Sequence, residues 1–201
     1  MGTGDYKVGE LAAQDSVLKD LDIGTHFLEC TTAGTIAIPS RQSHGCWEFD
    51  MYKGGDAGVF SVYFINSSTD VYPTSANTYL LQIEGNEKIF LYETNTSNPT
   101  ALLETATSYI DINTWYRLKV TRTTDGEFTV LIKGGSFTAT IGYDGWTLVQ
   151  PTGESLSGDP LVYTNNPVTD NTYTTSEYCV LDLDASDKCT NLLFKNQKKV
   201  D

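Results

Sequence analysis

Apolar and polar residues alternate with a period of two along most of the chain, and helical spacing is nearly absent, so strands are predicted throughout. The clearest is residues 46–52, where Trp47, Phe49 and Met51 share one face and Glu48, Asp50 and Tyr52 the other. Gly54-Gly55 breaks it, and residues 59–65 read as the next strand, followed by a polar loop that contains Pro73. Residues 26–30 and 35–38 read as short strands around an Ala33-Gly34 turn. Two hairpins are predicted, residues 79–84 with 88–93 across Gly85-Asn86-Glu87, and residues 115–122 with 128–133 across Asp125-Gly126. In the second, Tyr116, Leu118 and Val120 point inward and Arg117, Lys119 and Thr121 outward. Residues 178–184 and 190–194 are expected to close the chain as a last hairpin.

Two stretches depart from this rhythm. Residues 11–21, with Leu11, Val17, Leu18 and Leu21, allow one or two helical turns at most, or an irregular segment. Residues 142–177 are rich in Gly, Pro, Ser, Thr, Asn and Tyr, a weak pattern that fits a functional loop, an ordered surface loop or an inter-subunit arm. Roughly ten to thirteen strands spaced by about 8 to 15 residues predict an all-β, two-sheet antiparallel jelly-roll sandwich. Residues 1–24 are expected to form a lead-in, and residues 25–201 one domain with a loop-rich insertion at 142–177.

Charge narrows the partners. A formal net charge of -13 repels phosphate backbones and anionic membranes, so no nucleic-acid role is expected. No apolar run approaches the roughly 18 residues of a membrane span, and residues 1–10 lack the basic-then-apolar pattern of a cleaved leader. Cys30, Cys46, Cys179 and Cys189 form no C-x-x-C pair, and their even number allows buried thiols or at least one disulfide.

Several segments carry a family resemblance. Residues 45–53 (Gly-Cys-Trp-Glu-Phe-Asp-Met-Tyr-Lys), Tyr79-Leu80-Leu81-Gln82-Ile83, the run Asn113-Thr114-Trp115-Tyr116-Arg117-Leu118-Lys119-Val120, Gly126-Glu127-Phe128-Thr129-Val130-Leu131-Ile132 and a closing Leu181-Asp182-Leu183-Asp184 resemble the concanavalin A-like lectin/glucanase superfamily in its laminin G-like branch. They look most like domains of tailed-bacteriophage structural proteins. The resemblance implies a sandwich whose members bind sugars or proteins, and fold alone does not fix activity.

Glycoside hydrolases of that superfamily carry Glu-x-Asp-x-x-Glu on one strand, and here Glu48 and Asp50 are followed by Lys53 at the place of the second glutamate. A two-carboxylate mechanism therefore lacks its proton donor, and no catalytic residue is expected. Glu48 and Asp50 read instead as solvated acids on an outer strand face. The resemblance also allows a calcium site, for which Asp182, Asp184 and Asp187 are the candidates although their spacing fits no standard loop; no cofactor is otherwise expected. For ligand binding, aromatics in the long polar segment stand out: Tyr143, Trp146, Tyr163 and Tyr173, with Tyr52 and Tyr72 as second choices. The bland reading is that such rings plug the core.

These features predict a non-enzymatic virion component, a capsid decoration, fibre or tail adhesin assembled in the host cytoplasm. Its expected partners are other virion proteins, host-surface carbohydrate or further copies of itself. A stand-alone carbohydrate-binding module is the alternative, and a divergent glycoside hydrolase a more distant one.

Overall fold

The computed structural model describes residues 6–10, 26–69, 71, 77–94, 99–137, 145–149, 168–170 and 172–195. Among these, the chain runs through β1 (Tyr6–Glu10), β2 (His26–Cys30), β3 (Gly34–Pro39), β4 (Gly45–Tyr52), β5 (Phe60–Asn66), β6 (Thr78–Ile83) and β7 (Ile89–Thr94). It continues through β8 (Thr100–Glu104), β9 (Trp115–Arg122), β10 (Glu127–Gly134), β11 (Thr147–Leu148), β12 (Val168–Thr169), β13 (Tyr178–Leu183) and β14 (Lys188–Lys195).

The strands form two antiparallel sheets. An eight-stranded sheet has the order β1-β2-β14-β4-β9-β10-β11, with β12 also on β10, and a six-stranded sheet the order β3-β13-β5-β6-β7-β8. The expected sandwich is present, and β1 adds a strand from within the stretch read as a lead-in.

Period-two alternation builds the core. Trp47, Phe49 and Met51 of β4, Tyr116, Leu118 and Val120 of β9, and Phe128, Val130 and Ile132 of β10 meet Phe60, Val62 and Phe64 of β5, Tyr79, Leu81 and Ile83 of β6, and Ile89 and Leu91 of β7. Rings cross between the sheets, Trp47 on Phe64 at 4.9 Å and Phe49 stacked on Phe60 at 6.3 Å. Each such side chain contributes about 1.5–3 kcal/mol by leaving water.

The predicted hairpins β6/β7 and β9/β10 form. The expected closing hairpin does not. β2 and β3 lie in different sheets, as do β13 and β14, so the turns between them carry the chain from one sheet to the other. Their inward residues, Cys30 and Ile36, and Leu183 and Cys189, join one core cluster from the two sheets and do not pair along a ladder, which alternation alone does not distinguish. The second of these corners packs closely on the β4–β5 connection: a Cβ on Gly54 would lie 2.4 Å from the Ser186 carbonyl oxygen.

Candidate functional site

At one end of the six-stranded sheet, β3 finishes at Pro39, which is paired with Tyr178 at the start of β13. Proline lacks the N–H that would extend the ladder, so the chain leaves the sheet there, held by one more bond from Ser40 N to Glu177 O at 2.8 Å. The result is a cleft of about 550 Å³ lined by Pro39, Ser40, Arg41, Glu177 and Tyr178.

Both walls are anchored through backbone. Gln42 Nε2 donates to Cys46 O at 3.1 Å, and Arg122 Nη1 donates to Ser43 O at 2.6 Å, which fixes the loop carrying Arg41. Opposite, Glu177 N donates to Asn66 O at 2.9 Å, and Ser176 Oγ donates to Tyr178 O at 3.1 Å. Tyr178 is half-buried, its ring packed against the cluster of Tyr63, Leu80, Phe90, Tyr92 and Val180 on the outer sheet face. Arg41 and Glu177 are exposed, and among the described residues neither side chain has a hydrogen-bond or ion-pair partner. A donor-only guanidinium, an acceptor-only carboxylate, a serine hydroxyl and an aromatic ring therefore line one concavity on a fixed frame.

Arg122 supports this frame from the interior. It is 3% exposed, lies over the Tyr79 and Phe128 rings at 4.9 and 5.1 Å, and sends Nη2 to Asp170 O at 3.1 Å. Tyr79 Oη donates to the Asp170 carboxylate. Burial, together with that bond, pushes the Tyr79 hydroxyl up to about 12. Burial pushes the Asp170 carboxyl up, yet the bonds from Tyr79 and Thr172 and the charge of Arg122 outweigh it, and the carboxyl ends below its usual range.

The aromatics predicted from the sequence do not converge on the cleft. Trp146 is 5% exposed and packs with Leu131 and Leu148 on the outer face of the eight-stranded sheet, under Lys119 Nζ at 4.1 Å and Lys133 Nζ at 4.6 Å. Tyr173 is 6% exposed and packs on Tyr79 at 5.4 Å in the core. Tyr173 thus takes the core-plugging role, whereas Trp146 is covered on the outer sheet face by Leu131, Leu148 and the two lysines. Tyr52 lies on the outer face of β4 beside Trp115 at 5.5 Å and donates to Asn113 Oδ1 at 3.2 Å. Tyr72, Tyr143 and Tyr163 lie outside the described residues.

The acids of β4 are not solvated. Asp50 is fully buried under Arg117, whose Nε and Nη2 reach Oδ1 and Oδ2 at 2.5 and 3.0 Å, and Glu48 faces Lys119 at 3.8 Å and Arg117 at 4.0 Å. The cross-strand registers Asp50↔Arg117 and Glu48↔Lys119 cause this pairing. Lys53 is also fully buried, its Nζ donating to Ala57 O and Gly58 O at 3.3 Å each.

The proposed calcium ligands are likewise engaged with the chain. Asp187 accepts from Gly54 N at 2.8 Å and Asp184 N at 3.2 Å, and Asp184 accepts from Val59 N at 2.6 Å. Asp182 instead lies on the ladder between Thr35 and Ser61. Among the described residues no group of three His, Cys, Asp or Glu is placed to hold a metal ion. All four cysteines are free and buried.

Nothing in the sequence singles out Arg41, Glu177 or Tyr178. Pro39 marks a strand end, but its pairing with Tyr178 is a contact between distant parts of the chain.

No family model matches the chain, and no curated protein does. Among solved structures it is similar to the carbohydrate-binding module CBM66 from Bacillus subtilis, at 16% identity and TM-score 0.54 over 94% of each chain. A protein of unknown function from Shewanella oneidensis MR-1 matches at 14% identity and TM-score 0.49, over 98% of this chain and 80% of that one. A toad ovary galectin in complex with thio-digalactose matches at 11% identity and TM-score 0.43, over 78% of this chain and 98% of that one. The first likeness, spanning nearly the whole of both molecules, shows that this chain shares the two-sheet β-sandwich fold of that structure.

Proposed function

We propose that this chain is a non-catalytic carbohydrate-binding domain whose saccharide site is the cleft between the exit of β3 and the start of β13. The observation that carries this is the pair Arg41 and Glu177, unpartnered among the described residues on an anchored frame beside the Tyr178 ring. Sugar hydroxyls both donate and accept, so they complement a guanidinium and a carboxylate together, while a ring held by its own packing loses little entropy on contact. The shared fold with a carbohydrate-binding module supports the same reading. A non-enzymatic role is supported by β4, where Asp50 is held by Arg117 and Lys53 occupies the position that a second carboxylate would need.

A glycan array followed by calorimetry on the best hit tests this. Arg41→Ala and Glu177→Ala are each expected to weaken binding about tenfold or more, with the melting temperature unchanged because both side chains are exposed. Retained affinity in both variants would remove the cleft from consideration.

The strand motifs that resemble tailed-phage structural domains support a virion setting, in which the cleft meets host-surface glycan or other virion proteins. Peptide mapping of purified particles tests that setting, and a particle lacking this chain rules it out.

A further inference from the structure

Resting on the saccharide reading of the cleft, we infer that its ligand is a neutral saccharide, gripped by a vicinal hydroxyl pair bridging Arg41 and Glu177, and that uronate- and sulfate-bearing sugars are excluded. The first argument is local charge. Arg41 and Glu177 both line the cleft and form no ion pair with each other, so the charged lining among the described residues sums to zero. Their backbones are held side by side: Ser40 N is bonded to Glu177 O, while Gln42 and Arg122 fix the rest of the Arg41 loop.

The second argument is complementarity. A guanidinium can only donate and an ionised carboxylate can only accept. One hydroxyl of a vicinal pair can accept from Arg41 while its neighbour donates to Glu177. A carboxylate or sulfate placed there would satisfy Arg41 and meet Glu177 as a like charge, which is costly in a partly desolvated site. The formal net charge of -13 adds a repulsive field against any anion approaching from solution.

The third argument is shape. A volume of about 550 Å³ lies in the ordinary range for a small-ligand site and matches a short saccharide. Tyr178 and Pro39 supply the apolar surface against which the C–H face of a sugar ring packs.

The test is calorimetric titration of the whole chain with matched neutral, uronate-bearing and sulfated oligosaccharides at one fixed ionic strength. Neutral ligands are expected to bind at least about tenfold more tightly than their anionic counterparts. Glu177→Gln should narrow that ratio, weakening the neutral ligand several-fold while strengthening the uronate. Circular dichroism checks that this exposed substitution leaves the fold intact. Tighter binding of anionic sugars, or a ratio untouched by Glu177→Gln, overturns the charge selectivity and leaves the saccharide reading standing. Absence of binding to every saccharide class overturns both.

Discussion

Arg122 Nη1 donates to the Ser43 carbonyl at 2.6 Å, and through this one bond a buried guanidinium in β9 holds the loop that carries Arg41. Its other arm reaches Asp170 O, and its guanidinium lies over the rings of Tyr79 and Phe128. A lysine has no planar fork with which to serve both carbonyls. Arg122→Lys is therefore expected to cost about 1–3 kcal/mol in urea denaturation, because a buried acceptor is left without its donor. Saccharide affinity should fall in parallel although Arg122 lines no part of the cleft. Unchanged unfolding and unchanged binding together would show that the loop is fixed by other contacts.

How much of this was legible in the sequence follows from the range of the forces involved. The faces of β4, β9 and β10 can be read directly, since alternation within one strand decides which side meets the core. The hairpin across Gly85-Asn86-Glu87 can be read too, but a short turn does not by itself fix the partner, since the equally short β2–β3 and β13–β14 connections cross between the sheets. Asp50 illustrates the limit. Its face is legible, but its full burial depends on Arg117 lying opposite it on a strand 67 residues away. The cleft is illegible for the same reason: Pro39 and Tyr178 are brought together only by the order of strands in the sheet.

The Asp50–Arg117 pair should be structural. Asp50 has no exposed surface, and Arg117 meets it with two parallel bonds. Asp50→Asn removes the charge that balances a mostly covered guanidinium and is expected to cost about 3 kcal/mol, the scale seen on breaking such pairs. Replacing both partners together, as Asp50→Leu with Arg117→Met, should cost less than the single change. A double variant at least as unstable as Asp50→Asn contradicts this account.

Acidification should stabilise the sheet-crossing corner. Burial pushes Asp182 up to about 6, with the charge of Asp184 adding to it, and burial raises Asp187 to about 6 despite the Gly54 amide and Lys53. For an acid raised above its unfolded value of 3.8, the folded state binds protons more tightly. The contribution is then complete below about pH 4 and is lost as pH rises through about 6. Asp170, shifted the other way, opposes this only as pH falls through its own lowered value. The melting temperature should therefore rise from about pH 7 to about pH 5, and Asp182→Asn should flatten part of that slope. A wild-type curve that falls over this interval disproves the assignment.

Thiol reactivity offers an independent check on the closed core. Cys30 and Cys179 have no exposed surface, Cys189 is 3% exposed and Cys46 is 8% exposed. Burial pushes the Cys30 thiol up to about 11, helped by Asp187, Asp182 and Asp184, and the Cys179 thiol up to about 12. Cys189 is raised further, by burial and then by the charge of Asp50. Since the thiolate is the attacking species, these groups are doubly protected, by exclusion of the reagent and by protonation. An aromatic disulfide reagent should count four thiols in denaturant but label the native protein slowly, with Cys46 first. Its lead follows from position as well as exposure: its carbonyl is tied to Gln42 in the loop beside the cleft, so local opening of that loop uncovers it before the interior. Saccharide bound in the cleft should slow Cys46 labelling and leave the other three at the rate set by global unfolding. Fast labelling of Cys179 or Cys189 in the native protein, or fewer than four thiols after denaturation without reductant, contradicts a closed and reduced core.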